Sequence, residues 1–250
     1  MRILITRPEP DASVLKAKLE ALGHEVIVEP MLRIDFADCD PVCLANVQAL
    51  IATSRNALRA LDKTINTRAS AELLEMARAL PLFTVGRGTA ALARKMGFSR
   101  LHCGPGKAAS LPPMIASTLP PEDGRLLQLA GADLAVDLTA MLGAAGFGFA
   151  RTTVYRAKAR ETLSKSLTAL LRQGKIDSVL LMSPRTATIY ASLVTSEQLI
   201  DETTEMTHFC LSEQVSKGLS MLGKPQVEIA QTPNTEEMLA LLADSIAKRR

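Results

Sequence analysis

Ile3-Leu4-Ile5-Thr6-Arg7-Pro8-Glu9-Pro10-Asp11, running on to Gly23-His24-Glu25-Val26-Ile27-Val28, is the stretch that decides the fold class. Ile3-Leu4-Ile5 reads as a buried strand. Thr6 to Pro10 is a turn, and Asp11 can cap a helix on which Val14, Leu15, Leu19 and Leu22 recur at helical spacing. Gly23 ends that helix in a left-handed position. Val26-Ile27-Val28 is the next strand, followed by Pro30. Short β-type runs alternating with amphipathic helices signal a parallel-sheet α/β protein.

The same unit returns in the second half. Leu126-Leu127-Gln128-Leu129 is a strand, Ala130-Gly131 a turn, and a helix with Leu134, Leu138, Met141 and Leu142 runs to Gly146, ahead of the strand Thr152-Thr153-Val154-Tyr155. Thr6 to Gly23 and Leu129 to Gly146 are both steps of 17 residues. A second unit also recurs. Ala49-Leu50-Ile51-Ala52-Thr53-Ser54 and Leu82-Phe83-Thr84-Val85-Gly86 are matched by Val179-Leu180-Leu181-Met182-Ser183 and His208-Phe209-Cys210-Leu211-Ser212, each leading into a helix. Two copies of each unit imply two similar domains with sheets of about five strands. Pro105 to Pro113 reads as a Gly/Pro-rich loop. Thr232 to Thr235 cap a last helix with Met238, Leu239, Leu242 and Ile246 on one face.

Composition excludes several function classes. Aromatic residues are 3% and Trp is absent, so Leu, Ala, Val and Ile must build the core and a base-stacking nucleic-acid binder is disfavoured. The net charge is +3 without a dense basic block; Lys248-Arg249-Arg250 is expected on a frayed helix end, and no nucleic-acid partner is indicated. Cys39 and Cys43 lack the further thiolates or imidazoles of a structural zinc site, so no metal is expected. With Cys103 and Cys210 they read as free thiols of a reducing cytosol. No signal peptide precedes the first strand and no apolar run approaches the ~20 residues of a membrane span, so a cytoplasmic protein is expected.

Ligands of open parallel sheets bind beyond the carboxyl ends of the strands. Those ends carry Thr6-Arg7, Thr53-Ser54-Arg55-Asn56, Gly86-Arg87-Gly88-Thr89, Ala130-Gly131, Ser183-Pro184-Arg185-Thr186 and Ser212-Glu213-Gln214. Hydroxyls, small residues, arginines and helix N-termini suit a small polyanion. Taken singly, each Ser or Thr reads first as a cap of its helix; a binding role requires several ends to face one gap. Gly86-x-Gly88 lacks the third glycine of a dinucleotide fingerprint, and neither a P-loop nor a nucleophile elbow occurs. His24, His102 and His208 lie at or beside strands and read as packing residues.

An ordered set of these segments resembles one family. Ile3-Leu4-Ile5-Thr6-Arg7-Pro8 with Gly23-His24-Glu25-Val26, Thr53-Ser54-Arg55-Asn56-Ala57, Phe83-Thr84-Val85-Gly86 with Thr89-Ala90, Val154-Tyr155-Arg156 and Met182-Ser183-Pro184 are similar, in order, to uroporphyrinogen-III synthases. The resemblance implies two flavodoxin-like parallel-sheet domains. One is discontinuous (1–34 plus 160–250), the other is inserted (37–157), and extended segments near Leu32–Phe36 and Tyr155–Ala159 join them. It implies that hydroxymethylbilane, a linear tetrapyrrole with eight carboxylates, loses water and closes to uroporphyrinogen III with inversion of the last ring through a spiro intermediate. No cofactor and no membrane or nucleic-acid partner are implied, and a monomer is expected.

The resemblance assigns Tyr155 the assistance of hydroxyl departure. Thr6, Arg7, Ser54, Arg55, Gly86, Arg87, Gly131, Ser183, Arg185 and Ser212 are the candidate substrate contacts. The chain departs from the family where Val215 replaces a threonine and Ala130 an arginine. The residues by themselves also admit a two-lobed anion-binding sensor, or a relative without cyclase activity.

Overall fold

In the computed structural model, residues 1–37, 44–63, 68–133 and 136–248 are described. Eleven strands occur among them: β1 (Arg2–Ile5), β2 (Glu25–Val28), β3 (Leu32–Phe36), β4 (Val47–Ala52), β5 (Leu82–Thr84), β6 (Leu101–Cys103), β7 (Arg125–Gly131), β8 (Gly148–Ala159), β9 (Ser178–Leu181), β10 (Thr207–Cys210) and β11 (Gln226–Ile229). They form a five-stranded sheet, β11-β10-β9-β1-β2, and a six-stranded sheet, β3-β8-β7-β4-β5-β6. The pairs of the first sheet are parallel, as are those from β8 to β6 in the second. The chain divides into two units, Met1–Arg33 with Lys158–Arg250, and Ile34–Ala157. Hydrogen-bonded neighbours β3 and β8 carry the chain from one unit to the other.

Both sheets share one strand order. Numbered within its own unit, the first runs 2-1-3-4-5, the flavodoxin-like order. The parallel strands of the second run β8-β7-β4-β5-β6. Pairing β7 with β1, β8 with β2, β4 with β9 and β5 with β10, as the sequence repeat does, makes the two orders identical. The second unit merely enters that order at a different strand.

The inner strands β1, β4, β5, β7, β9 and β10 are largely buried because helices cover each sheet on both faces. On β1, Ile3 and Ile5 pack with Leu15 and Leu19 of the helix Asp11–Ala21 and with Met238 and Leu242 of the helix Thr235–Lys248. Leu4 points the other way, to Leu167 of the helix Lys165–Arg172 and Tyr190 of the helix Pro184–Ser196. In the second unit Leu50 and Ala52 pack on the helix Arg55–Lys63 through Ala57, Leu58 and Leu61. Ala49 and Ile51 pack on Leu111 and Ile115 of the helix Leu111–Ala116.

Several local expectations change. Ala12, Leu15 and Leu19 form the buried stripe of the first helix, whereas Val14 is 59% exposed, one residue and so ~100° off that stripe. Asp11 is not a cap; Pro10 holds that position, and Asp11 sits in the first turn, paired to Arg7. The helix before Gly146 is short, Thr139–Ala144, because the Asp137 carboxylate accepts from both the Thr139 N–H and its hydroxyl and fixes the start there. Leu134 lies outside the described residues, as do Cys39, Cys43, Arg249 and Arg250. The loop after Pro105 ends earlier than expected, since Pro112 and Pro113 are accommodated within the first turn of the helix Leu111–Ala116. Asn234 caps the last helix by accepting from the Glu237 N–H at 2.8 Å.

Glu29, just past β2, is 5% exposed. It accepts the Ser164 N–H at 2.7 Å and pairs with Arg160 at 3.0 Å, while the Ser164 hydroxyl caps the next helix by accepting from Leu167. Glu29→Ala is expected to cost about 2 kcal/mol in denaturant unfolding, less than for a fully buried pair because Arg160 is 31% exposed. An unfolding midpoint equal to wild type would remove Glu29 from this account.

Candidate active site

β4 ends at Ala52, and Ser54 immediately precedes the helix Arg55–Lys63. The Ser54 Oγ accepts the free Ala57 N–H of the first turn at 3.3 Å, as helix-capping serines do. It also donates to the Tyr155 hydroxyl oxygen at 3.0 Å. A chain of donors therefore runs from the helix N-terminus through Ser54 to the phenol. Each bond polarises the next, and the helix dipole adds to the same direction. With its oxygen already accepting, Tyr155 keeps its own O–H for donation to a ligand.

Tyr155 is aimed by a bulge. β7 and β8 pair in register up to Ala130 opposite Thr153, then shift so that Gly131 faces Tyr155. The extra residue, Val154, is buried in the core. A bulge at this point turns the following side chain and interrupts the pairing, a common device beside functional sites. The Ala132 N–H donates to the Tyr155 carbonyl at 2.9 Å and holds the backbone beyond the shift.

Gly131 is needed for space. A Cβ there would lie 2.7 Å from Tyr155 Cζ and 2.9 Å from both Cε2 and the hydroxyl oxygen. Gly131→Ala must displace the ring from Ser54. The expected result is a fall in kcat of about tenfold, since small misplacements of a positioned group are costly. A wild-type kcat in this variant would show that Gly131 does not set the ring position.

Ser54, Gly131 and Tyr155 thus meet in the second unit. The other candidates of that unit lie along the same carboxyl edge. Arg55 is half-buried in the first turn of its helix, Gly86 precedes the helix Arg87–Lys95, and Arg87 is exposed at its start.

In the first unit the strand ends are more committed. Thr6 is fully buried and donates to the Leu180 carbonyl at 3.1 Å, tying β1 to β9. Arg7 pairs with Asp11 at 3.2 Å. Ser183 accepts the Thr186 N–H at 3.2 Å and shares a 2.9 Å contact with the Thr186 hydroxyl. Arg185 is exposed; Ser212 is half-buried at the start of the short helix Glu213–Ser216 and forms no side-chain cap. Val215 is buried in the first unit's core.

His102 stacks on Phe83 with ring centroids 4.5 Å apart, and His208 is fully buried. Burial pushes the Cys210 thiol up to about 12, so it stays protonated, whereas Cys103 is exposed. Among the described residues no group of three or more His, Cys, Asp or Glu could hold a metal, and no helix is long and apolar enough to cross a membrane. Sequence reasoning names Ser54 and Tyr155 separately but not their bond, which joins positions 101 residues apart. It also passes over Arg94, although Arg87 and Arg94 stand seven residues apart on one helix face.

Comparison with curated proteins returns no match. Among solved structures, the fold matches the crystal structure of uroporphyrinogen-III synthetase from Helicobacter pylori at a TM-score of 0.64 and 19% identity, covering 98% of this chain and 100% of that one. It also matches a mutant uroporphyrinogen III synthase from the extremely thermophilic bacterium Thermus thermophilus at a TM-score of 0.60 and 18% identity, with 99% of each chain covered. At such identities the likeness speaks for the fold alone. A family model described as uroporphyrinogen-III synthase HemD matches residues 13–240, nearly the whole chain. The chain belongs to the uroporphyrinogen-III synthase family, a family of cyclising lyases of haem biosynthesis.

Proposed function

We propose that this chain converts hydroxymethylbilane to uroporphyrinogen III, with loss of water and inversion of the last pyrrole, and that Tyr155 is the group that assists departure of the hydroxyl. The observation that carries the reading is the Tyr155 hydroxyl held by Ser54 at a helix N-terminus. A phenol donates a hydrogen bond without bringing charge to the site. As the C–O bond breaks, the departing oxygen takes the Tyr155 proton and leaves as water. The electron pair of the neighbouring pyrrole nitrogen stabilises the resulting carbocation. The cation is then attacked by the substituted α-carbon of the last ring, which forms the spiro intermediate. The bond from that carbon to its original bridging methylene then breaks, and the methylene cation so released is attacked by the free α-carbon of the same inverted ring. The proton lost from that free α-carbon as the pyrrole regains aromaticity restores the phenol. The Ser54 O–H steadies the developing negative charge on the phenol oxygen, which is electrostatic catalysis by a fixed dipole.

Substrate carboxylates are assigned to Arg7, Arg55, Arg87 and Arg185. Ser183, Ser212, Gly86 and Gly131 offer backbone or hydroxyl contacts, and Thr6 fixes the strand end that presents Arg7. Holding a flexible polyanion near its ring geometry lowers the entropic barrier to closure. The enzyme is read as a cytoplasmic monomer. Freshly made hydroxymethylbilane, assayed by separating type III from type I uroporphyrinogen, is expected to yield an excess of type III. A product mixture identical to the enzyme-free control would end this reading.

A further inference from the structure

The helix Arg87–Lys95 places Arg87, Ala91 and Arg94 on one face, with the small alanine between the two arginines. Opposite them run Cys103, Gly104 and Pro105, at and just after the end of β6. The Gly104 N–H donates to the Thr84 carbonyl at 2.8 Å, and a Cβ on Gly104 would lie only 3.1 Å from the Val85 carbonyl, so this segment hugs the end of β5. These six residues line a cavity of about 660 Å³. That volume is ample for a small ligand, where pockets run roughly 300–1,000 Å³. The lining contains two cations and no carboxylate. Among the described residues neither guanidinium has a hydrogen-bond or ion-pair partner.

Two unpaired arginines seven residues apart on a helix stand about 10 Å apart along its axis. One small anion can engage one of them; both are satisfied by a ligand that carries two anionic groups at that separation. Guanidinium pairs bidentately with carboxylate, which favours carboxylates for that role. The cavity lies beyond the carboxyl ends of β5 and β6, in the same parallel sheet whose other strands, β4, β7 and β8, bring Ser54, Gly131 and Tyr155 together.

We propose that this cavity is a carboxylate subsite, in which Arg87 and Arg94 hold two peripheral carboxylates of the linear tetrapyrrole whose hydroxymethyl end lies at Tyr155. The proposal rests on the cyclase reading and adds Arg94 and the Cys103 wall to it. Cys103 serves as a built-in reporter, because a ligand seated between the arginines covers its exposed thiol.

The test uses the full chain with two readouts. Type III formation is measured against hydroxymethylbilane concentration for wild type, Arg94→Ala and Arg94→Lys. KM is expected to rise roughly tenfold in the alanine variant, the factor a charge-assisted hydrogen bond carries, with partial recovery in the lysine variant and kcat within about twofold. Alkylation of Cys103 by iodoacetamide is followed by peptide mass spectrometry, with and without uroporphyrinogen III. The product is expected to slow alkylation several-fold in wild type, roughly as its occupancy dictates, and to leave an Arg87→Ala, Arg94→Ala double variant unprotected. Both arginines are exposed, so these variants should fold. A wild-type enzyme that forms type III, with KM unmoved by Arg94→Ala and Cys103 unprotected, would overturn the subsite and leave the cyclase reading standing. A wild-type chain that forms no excess of type III would overturn both.

Discussion

Tyr155→Phe is expected to lower kcat for type III formation about 100-fold, within the range for loss of a positioned proton donor, while KM moves little. Only one oxygen is removed, and the ring keeps its packing against the second unit's core. Unfolding stability should fall by no more than about 1 kcal/mol, the net contribution of one hydrogen bond. Ser54→Ala provides the matching arm. It deletes the donor to the phenol oxygen and the cap on Ala57, so it should lower kcat by less than Tyr155→Phe and cost about 1 kcal/mol of stability. In the double variant the losses should not add, because Ser54 acts on the reaction through Tyr155. A Tyr155→Phe enzyme with wild-type kcat would take the phenol out of the mechanism.

The second large effect concerns stability in mild acid. His208 is fully buried in the first unit. Its Nδ1 faces the Met206 and Gln226 carbonyls at 3.1 and 3.3 Å, and its Nε2 faces the Tyr190 hydroxyl at 3.3 Å. Two carbonyls can only accept, so Nδ1 carries the proton and Nε2 accepts from Tyr190. Burial holds the imidazole neutral and pushes its pKa down from 6.5 to about 4. Between those values the unfolded chain binds a proton that the folded chain excludes. Stability from this group is therefore complete above about pH 6.5, is lost as pH falls towards 4, and changes no further below it. The shift corresponds to about 3 kcal/mol. Urea unfolding from pH 7.5 to 4 should show this loss, and His208→Gln, less stable at pH 7.5, should show a flatter profile. Equal slopes in the two proteins would refute the assignment.

Much of the fold is legible because it is written in local patterns. Ile3-Leu4-Ile5 and Leu126 to Leu129 are apolar runs, and Gly23 and Gly146, both at positive φ, end the helices that follow them. Those features depend on residues within one strand or one helical turn. Val14 departs from its expected place for a related reason: apolar residues on two adjacent helix positions cannot both face the sheet, and the sequence does not say which does. The helix before Gly146 is shorter than its apolar spacing suggests because that spacing ignores Asp137, whose carboxylate fixes the helix start.

By itself the sequence determined the fold class, the repeat and the residues standing at strand ends, since these follow from hydrophobic period and turn chemistry over a few residues. Tertiary structure alone decided which strand ends act together. Ser54 and Tyr155 meet because β7 lies between β4 and β8, and Gly131 is glycine because a ring from another strand lies where its Cβ would be. Thr6 and Ser54 look alike in the sequence, yet one hydroxyl is used up inside the sheet and the other reaches a phenol. Contacts between distant segments depend on strand order and register, which no local pattern encodes.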